Sequence, residues 1–228
     1  MEQSIAILAA AHFLGDFFLQ PQWLVGKKTR FSFLLLHGTI HAALVYALYQ
    51  AWGCWELPLA VFVTHTSIDF VKQKWTSDSA GAFAWDQAAH ALSLLGIAWY
   101  LTGTDSVPVF QGHGYALIVS IGGFVATVHG AGYYIEKVAG MIKQRNALEI
   151  DGLENGGAWI GKLERVLIFL FIFIDQPEGI GFLVAAKSIL RFEEARKQKL
   201  AEYVLIGTLL SFSLAIGIAA ATHWAVGL

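Results

Sequence analysis

The chain has little cysteine, little charge and no basic segment at its start. Its single cysteine, Cys54, excludes an intrachain disulfide and a cysteine-rich metal site. Charged residues make up 14% of the 228 residues, against about 25% in soluble domains, and the net charge of −2 gives no basis for nucleic-acid binding. Residues 1–4 lack the basic start of a cleaved signal peptide, so we expect the first hydrophobic segment to remain as a membrane helix.

Apolar residues make up most of the chain. Hydrophobic residues make up 56% of the chain, and the mean hydropathy is +0.57. A membrane-spanning helix needs about 20 mostly apolar residues, and this pattern predicts an all-α, polytopic membrane helix bundle in one domain, residues 1–228, with about eight spans. The predicted spans are 4–21, 32–51, 57–73, 82–102, 114–136, 158–175, 178–193 and 201–223.

The basic residues predict an orientation. If both termini lie on the outer side, all 15 lysines and arginines fall at cytoplasmic ends of the spans. The outer loops then hold only acidic residues among the charged types, for example Glu56 and Asp105. This sorting depends on the number of spans and therefore supports a count of eight.

Four successive apolar segments each carry two residues of metal-ligand type, four positions apart. Residues at this spacing lie on the same helix face, one turn apart. Ionisable side chains are costly inside a membrane and indicate functional sites. The four pairs are His12/Asp16, His37/His41, His65/Asp69 and Asp86/His90.

The predicted topology places all eight side chains at a similar depth, roughly 5–15 Å inside the cytoplasmic boundary. Short loops make successive helices antiparallel neighbours, so the pairs are expected to meet in a bundle core. Residues 1–103 would then form a four-helix half that carries a polar site, and residues 114–228 a supporting half.

Five imidazoles and three carboxylates favour a divalent metal site with one ion or two. We expect zinc, with manganese or iron as alternatives, because the donors are nitrogen and oxygen without thiolate. A catalytic metal lowers the pKa of its bound water towards neutrality, and Asp69 or Asp86 could act as general base. Gln20, Gln22 and Gln87 flank the pairs as hydrogen-bond donors.

A second set of charged residues lies at the same predicted depth. Four of its cations could bind a phosphate or carboxylate of a substrate, namely Lys27, Lys72, Lys187 and Arg191. Alternatively these charges form ion pairs, such as Glu164 with Arg191 and Arg165 with Glu202. His129, in the fifth span, is expected to be a structural hydrogen-bond partner.

Several stretches resemble the uncharacterised bacterial inner-membrane "domain of unknown function 3307" family. The similar stretches are 12–20, 36–41, 65–72, 86–90, 161–165, 186–192 and 201–207. The resemblance implies a multi-pass protein of the bacterial inner membrane. It implies no known reaction.

Three functions fit these residues. The first is a metal-dependent intramembrane hydrolase that acts at the cytoplasmic face on an anionic or lipid-linked substrate. The second is a divalent-metal or proton-coupled transporter, against which stands the scarcity of polar residues in the outer half. The third is a membrane di-iron oxidase, although adjacent histidines typical of such sites are absent.

Glycines such as Gly122 and Gly123 would also allow helix packing between copies of the chain.

Overall fold

The computed structural model describes residues 1–21, 30–75, 78–103, 113–148, 153, 155–190 and 198–228. Within these residues the secondary structure is helical, which confirms the all-α prediction. A π-helical turn, Ala126–Gly130, joins the fifth and sixth helices. The α-helices are α1 (Glu2–Phe17), α2 (Phe31–Tyr49), α3 (Glu56–Trp75), α4 (Ala80–Thr102), α5 (His113–Val125), α6 (Ala131–Arg145), α7 (Gly156–Phe173), α8 (Glu178–Leu190) and α9 (Gln198–Val226).

Each predicted span falls on a helix, and the fifth span falls on α5 and its π-helical continuation into α6. Three of the described helices are long and apolar enough to cross a membrane: Phe31–Tyr49, His113–Arg145 and Gln198–Val226. Membrane-competent helices are therefore present. That all eight segments cross the bilayer stays a prediction.

Local signals set several helix ends. The hydroxyl of Ser79 accepts a 3.1 Å hydrogen bond from the backbone N–H of Ala82 and so caps the start of α4. Pro58 lies in the first turn of α3, where its missing N–H costs no helical hydrogen bond. Gln50 ends α2 with φ of 58°, the left-handed conformation common at helix ends.

The chain divides into two compact units. The first unit comprises Met1–Val125 and Trp224–Leu228. It contains the whole predicted four-helix half and also includes α5. In this unit α1 contacts both α2 and α4, α2 contacts α3, and α3 contacts α4, so the first four helices close into a ring. Helix α5 packs on α1, and a Cβ at Gly122 would overlap Ala10 there.

One end of this ring is an apolar core. Buried side chains of α1, α2, α3 and α4 meet there, including Ile7, Val45 and Leu57. The hydroxyl of Tyr49 donates a 2.9 Å hydrogen bond to Ser4 within the core, and both residues are fully buried. The ligand-type pairs occupy the adjacent turns of the same four helices, after the core residues in α1 and α3 and before them in α2 and α4.

The second unit, Ala126–His223, has a smaller core around Ile168, Phe212 and Ala215. The buried guanidinium of Arg165 links two of its elements. Its Nε donates a 3.2 Å hydrogen bond to the carbonyl of Val128 in the π-helical turn, and its Nη1 donates at 3.4 Å to the hydroxyl of Ser211 on α9.

Candidate metal centre

The structure brings all eight ligand-type side chains together inside the ring of α1–α4. Seven of the eight are buried, and the Asp16 side chain is 10% exposed. Buried charges and imidazoles are stable only where they are paired, hydrogen-bonded or metal-bound. The eight residues are His12, Asp16, His37, His41, His65, Asp69, Asp86 and His90.

The carboxylate of Asp16 lies at the centre of the cluster. Its Oδ1 accepts a 3.1 Å hydrogen bond from His37 Nε2 and lies 3.2 Å from His41 Nε2 and 3.7 Å from His65 Nε2. Its Oδ2 lies 3.5 Å from His12 Nε2. One carboxylate from α1 therefore faces imidazoles from α1, α2 and α3.

Asp69 approaches the same imidazoles from α3 and directs its two oxygens differently. Its Oδ2 lies 3.7 Å from His37 Nε2 and 3.9 Å from His65 Nε2. Its Oδ1 lies 3.9 Å from His90 Nε2 on α4. Asp69 thus stands between the imidazoles of α2 and α3 and the imidazole of α4.

A hydrogen bond of its Nδ1 atom orients the His90 ring. Its Nδ1 donates a 2.9 Å hydrogen bond to the backbone carbonyl of Asp86, one turn earlier on α4. With the proton on Nδ1, the Nε2 atom carries the free lone pair and points towards Asp69. Histidines that bind metals are commonly oriented by such a hydrogen bond from the other ring nitrogen.

The Nε2 atoms of three cluster imidazoles are buried and make no hydrogen bond of good geometry within the part of the chain that the structure describes. The three imidazoles are those of His41, His65 and His90. Two ligand atoms bound at ~2.0–2.1 Å to one tetrahedral zinc ion lie about 3.3 Å apart. The separations of 3.1, 3.2 and 3.7 Å around Asp16 Oδ1 bracket this value, so the residues fit a divalent ion.

Among the described residues, two groups of ligand atoms are close enough to share an ion. Within each group the atoms lie within 4.8 Å of one another, and His65 belongs to both. His12 and Asp86, which the sequence also predicts as ligands, belong to neither group. The first group is Asp16, His37, His41 and His65, and the second is His65, Asp69 and His90.

Gln87 connects His12 with two carboxylates of the cluster. Its amide oxygen accepts from His12 Nε2 at 3.4 Å. Its amide nitrogen donates to Asp16 Oδ2 at 3.3 Å and to Asp86 Oδ2 at 3.2 Å. A single neutral side chain therefore links one imidazole to two carboxylates, as expected from its place beside Asp86.

Asp86, which belongs to neither ligand group, forms an ion pair with a lysine. Lys72 Nζ lies 2.7 Å from Asp86 Oδ2, and the lysine side chain is 37% exposed while that of Asp86 is 2% exposed. The other predicted substrate-binding cation of the first unit, Lys27, lies outside the described residues, as do Gln22 and the outer-loop Asp105. The polar end of the ring is thus marked by a lysine that faces the cluster.

A small cavity adjoins the cluster on the side of the apolar core. It has a volume of about 10 Å³, about the space that the centre of one water molecule needs. Neither Asp69 nor Asp86 lines it. Its polar lining consists of His12, His41, Thr64, His65, His90 and Ser93.

A groove of about 470 Å³ lies between α3 and α4 and shares Thr64 and Ser93 with the cavity. Most of its lining is apolar, for example Leu57 and Ile97, and Glu56 lies at its other end. The groove therefore reaches from the start of α3 to the edge of the cavity.

Two glycines that adjoin the predicted ligands belong to the site, although the sequence alone did not identify them. A Cβ at Gly15 would overlap the His41 ring, and a Cβ at Gly38 would overlap the hydroxyl of Thr66. Gly15 precedes Asp16 and Gly38 follows His37, so these adjacent positions were the available sequence signal. The cavity-lining hydroxyls of Thr64 and Ser93 gave no signal.

Two cations of the second unit, Lys187 and Arg165, contact polar partners. Lys187 Nζ lies 2.8 Å from Glu164 Oε2, which supports the ion-pair interpretation of this residue. The expected pairing of Arg165 with Glu202 is not among the contacts of the described residues: Arg165 bonds Val128 and Ser211, and Glu202 accepts from Gln198 at 3.0 Å. Arg191 lies outside the described residues.

Residues 5–113 match the model of a family described as a protein of unknown function, DUF3307. The match confirms the resemblance seen in the sequence over the four ligand-type pairs, and the similar C-terminal stretches lie outside it. Neither a curated protein nor a solved structure matches the chain.

Proposed function

We propose that the protein is a metal-dependent hydrolase of the bacterial inner membrane that acts at the cytoplasmic face on an anionic or lipid-linked substrate. In this proposal the chain crosses the bilayer eight times with both termini outside. Three membrane-competent helices and the sorting of the 15 basic residues support that topology. The Lys72 end of the ring then faces the cytoplasm.

One observation carries the proposal. The buried Nε2 atoms of His41, His65 and His90 make no hydrogen bond of good geometry among the described residues, and they stand beside the carboxylates of Asp16 and Asp69. Leaving several buried polar atoms unpaired costs about 1–3 kcal/mol each. A divalent cation would satisfy these nitrogens and balance the two carboxylate charges together.

Zinc suits this donor set best. Imidazole nitrogen and carboxylate oxygen are its usual ligands without cysteine, and the ligand separations around Asp16 match a tetrahedral ion. Manganese and iron use the same donors and are the alternatives. A divalent ion bound here would supply a positive charge that acidifies a nearby water molecule and polarises a phosphoryl or carbonyl oxygen.

The cavity favours a different proton acceptor from the one that the sequence predicts. The sequence predicts Asp69 or Asp86 as general base, but neither lines the water-sized cavity, and Asp86 is engaged by Lys72. His12 lines the cavity and belongs to neither ligand group. In the proposed reaction His12 therefore accepts the proton of the attacking water at Nδ1, because its Nε2 donates to Gln87, which holds the ring in place.

Lys72 and the groove support the substrate class. The exposed part of Lys72 offers positive charge beside the cluster for a phosphate or carboxylate. The groove between α3 and α4 is mostly apolar and falls within the usual size range of ligand pockets, about 300–1,000 Å³, so it fits the apolar part of a lipid-linked substrate.

Elemental analysis of the full chain, purified in detergent, tests whether the protein binds a metal ion. We expect bound zinc in the wild type, a loss in the His41→Ala/His65→Ala variant, and no change in His129→Ala, which removes an exposed histidine of the second unit. No metal above the double-variant background would end the proposal.

Hydrolysis can then be followed with chromogenic phosphate and carboxylate esters and with phosphatidic acid in micelles, with and without chelator. His12→Gln should retain the metal and lower the rate about 10²–10⁴-fold. Equal rates for the wild type and the metal-free double variant would refute catalysis at this centre.

A transporter is the second candidate, and the groove favours it. Because the groove meets the cavity at Thr64 and Ser93, it offers the cluster a route to the start of α3 in addition to the Lys72 end. Zinc or manganese flux into proteoliposomes distinguishes the two functions. Transport predicts flux that Ser93→Leu blocks without loss of bound metal, whereas a hydrolase gives none.

A further inference from the structure

The two groups of ligand atoms share His65, and this sharing bears on the number of ions. One imidazole nitrogen binds one metal ion, so His65 Nε2 can complete only one of the two groups. Without His65, the first group keeps Asp16, His37 and His41, which form one side of the cluster. His90 belongs to the second group and lies on the other side. The cluster is therefore larger than one ion needs.

Asp69 is the residue that can connect the two sides. Its Oδ2 lies 3.7 Å from His37 Nε2, and its Oδ1 lies 3.9 Å from His90 Nε2. A carboxylate that directs its two oxygens to different imidazoles has the arrangement of a bridging ligand. Paired metal sites of hydrolytic enzymes hold their ions about 3.5–4 Å apart.

We propose that the cluster holds two divalent ions bridged by the Asp69 carboxylate. Asp16, His37 and His41 bind the first ion, and His65 and His90 bind the second. This inference rests on the proposed function, because it specifies the composition of the same metal centre.

The charges of the cluster then specify the substrate. Two divalent ions bring four positive charges, and Asp16 and Asp69 balance two of them, while Asp86 is engaged by Lys72. Two positive charges remain in a buried site, which is costly without compensation. An anionic substrate group such as a phosphate supplies that compensation, so the two-ion centre selects phosphate esters over neutral esters.

Metal stoichiometry tests the inference. The purified chain is stripped with chelator, reloaded with zinc alone, desalted and analysed for metal per chain. We expect about two zinc ions in the wild type and in His129→Ala, and about one in His41→Ala and in His90→Ala, because each variant damages one side. Asp69→Asn should weaken both sides.

Failure of the two-ion centre can be distinguished from failure of the proposed function. No zinc in the wild type refutes the proposed function, whereas one zinc in the wild type overturns only the two-ion centre. One ion in the wild type and none in either single variant likewise overturns the two-ion centre and leaves a single shared ion. Size-exclusion profiles establish that each variant is folded.

Manganese loading provides a readout that does not depend on variants. Two ions bridged by a carboxylate give an exchange-coupled electron paramagnetic resonance spectrum. The resolved hyperfine lines of an isolated manganese ion at full loading would overturn the bridged pair.

Discussion

The imidazole of His41 occupies the space that a Cβ at Gly15 would need. Helix α1 has no side chain at this point, and the ring from α2 can therefore approach Asp16, the residue that follows Gly15. The 3.2 Å separation of His41 Nε2 and Asp16 Oδ1 depends on this contact. A glycine thus sets the geometry of a candidate ligand on another helix.

Gly15→Ala should displace His41 and impair the metal centre. We expect a loss of stability of about 1–3 kcal/mol from overpacking, together with weaker zinc binding. Thermal unfolding and zinc content measure the two effects. Gly217→Ala is the control, because a Cβ there meets nothing within 4 Å, and its stability should be unchanged or slightly higher. Unchanged zinc binding in Gly15→Ala would show that His41 does not need this position.

Gln87→Leu should weaken metal binding without removing a ligand. The substitution removes the hydrogen bonds that hold His12, Asp16 and Asp86, and loss of such supporting contacts typically costs 10–100-fold in metal affinity. Zinc affinity is measured by competition with a chelator of known affinity. Gln73→Leu, at a position of α3 outside the cluster, serves as control, and equal affinities in the two variants would contradict a role for Gln87.

Lys72 and Asp86 should stabilise the fold as a pair. Lys72→Met leaves Asp86 buried without its cation, and we expect a loss of about 1–3 kcal/mol, reduced because Lys72 is 37% exposed. Adding Asp86→Asn should recover part of the loss, so that a double-mutant cycle shows coupling. Thermal unfolding gives the values, and Lys74→Gln on the same helix is the control. Additive effects of the two substitutions would mean that the pair contributes nothing.

Arg165→Met should destabilise the protein and leave its metal content unchanged. The substitution removes the donor of the Val128 carbonyl and of Ser211, and an unpaired buried polar group costs about 1–3 kcal/mol. Gly132→Ala should lower the unfolding temperature as well, because its Cβ would overlap the guanidinium. Zinc loss in either variant at temperatures where the chain stays folded would contradict this separation of roles.

The helices and the ligand-type pairs could be predicted from the sequence alone. Long apolar segments and i, i+4 spacing are local properties, so the pairing of His65 with Asp69 on one face needed no tertiary information. The close approach of Asp16 to His37 required the packing of α1 on α2, which the short-loop argument anticipated.

Other features depend on contacts that the sequence does not encode locally. Asp86 lies outside the ligand groups and pairs with Lys72 of α3, and the sequence does not mark this pair, because lysines at helix ends are common without such a partner. The partner of Arg165 is a carbonyl in a π-helical turn, and no side-chain pattern marks that acceptor. Charge pairing alone favoured Glu202 for this reason.

The closure of the first four helices into a ring has a consequence for biogenesis. His90 lies on α4, and its helix meets α1 only after the intervening chain has been synthesised. Of the proposed ligands, an emerging hairpin of α1 and α2 presents only Asp16, His37 and His41. The complete donor set therefore exists only after translation has passed residue 102, so an ion that needs all of these donors enters an assembled helical ring and does not act as a template for its earliest folding steps.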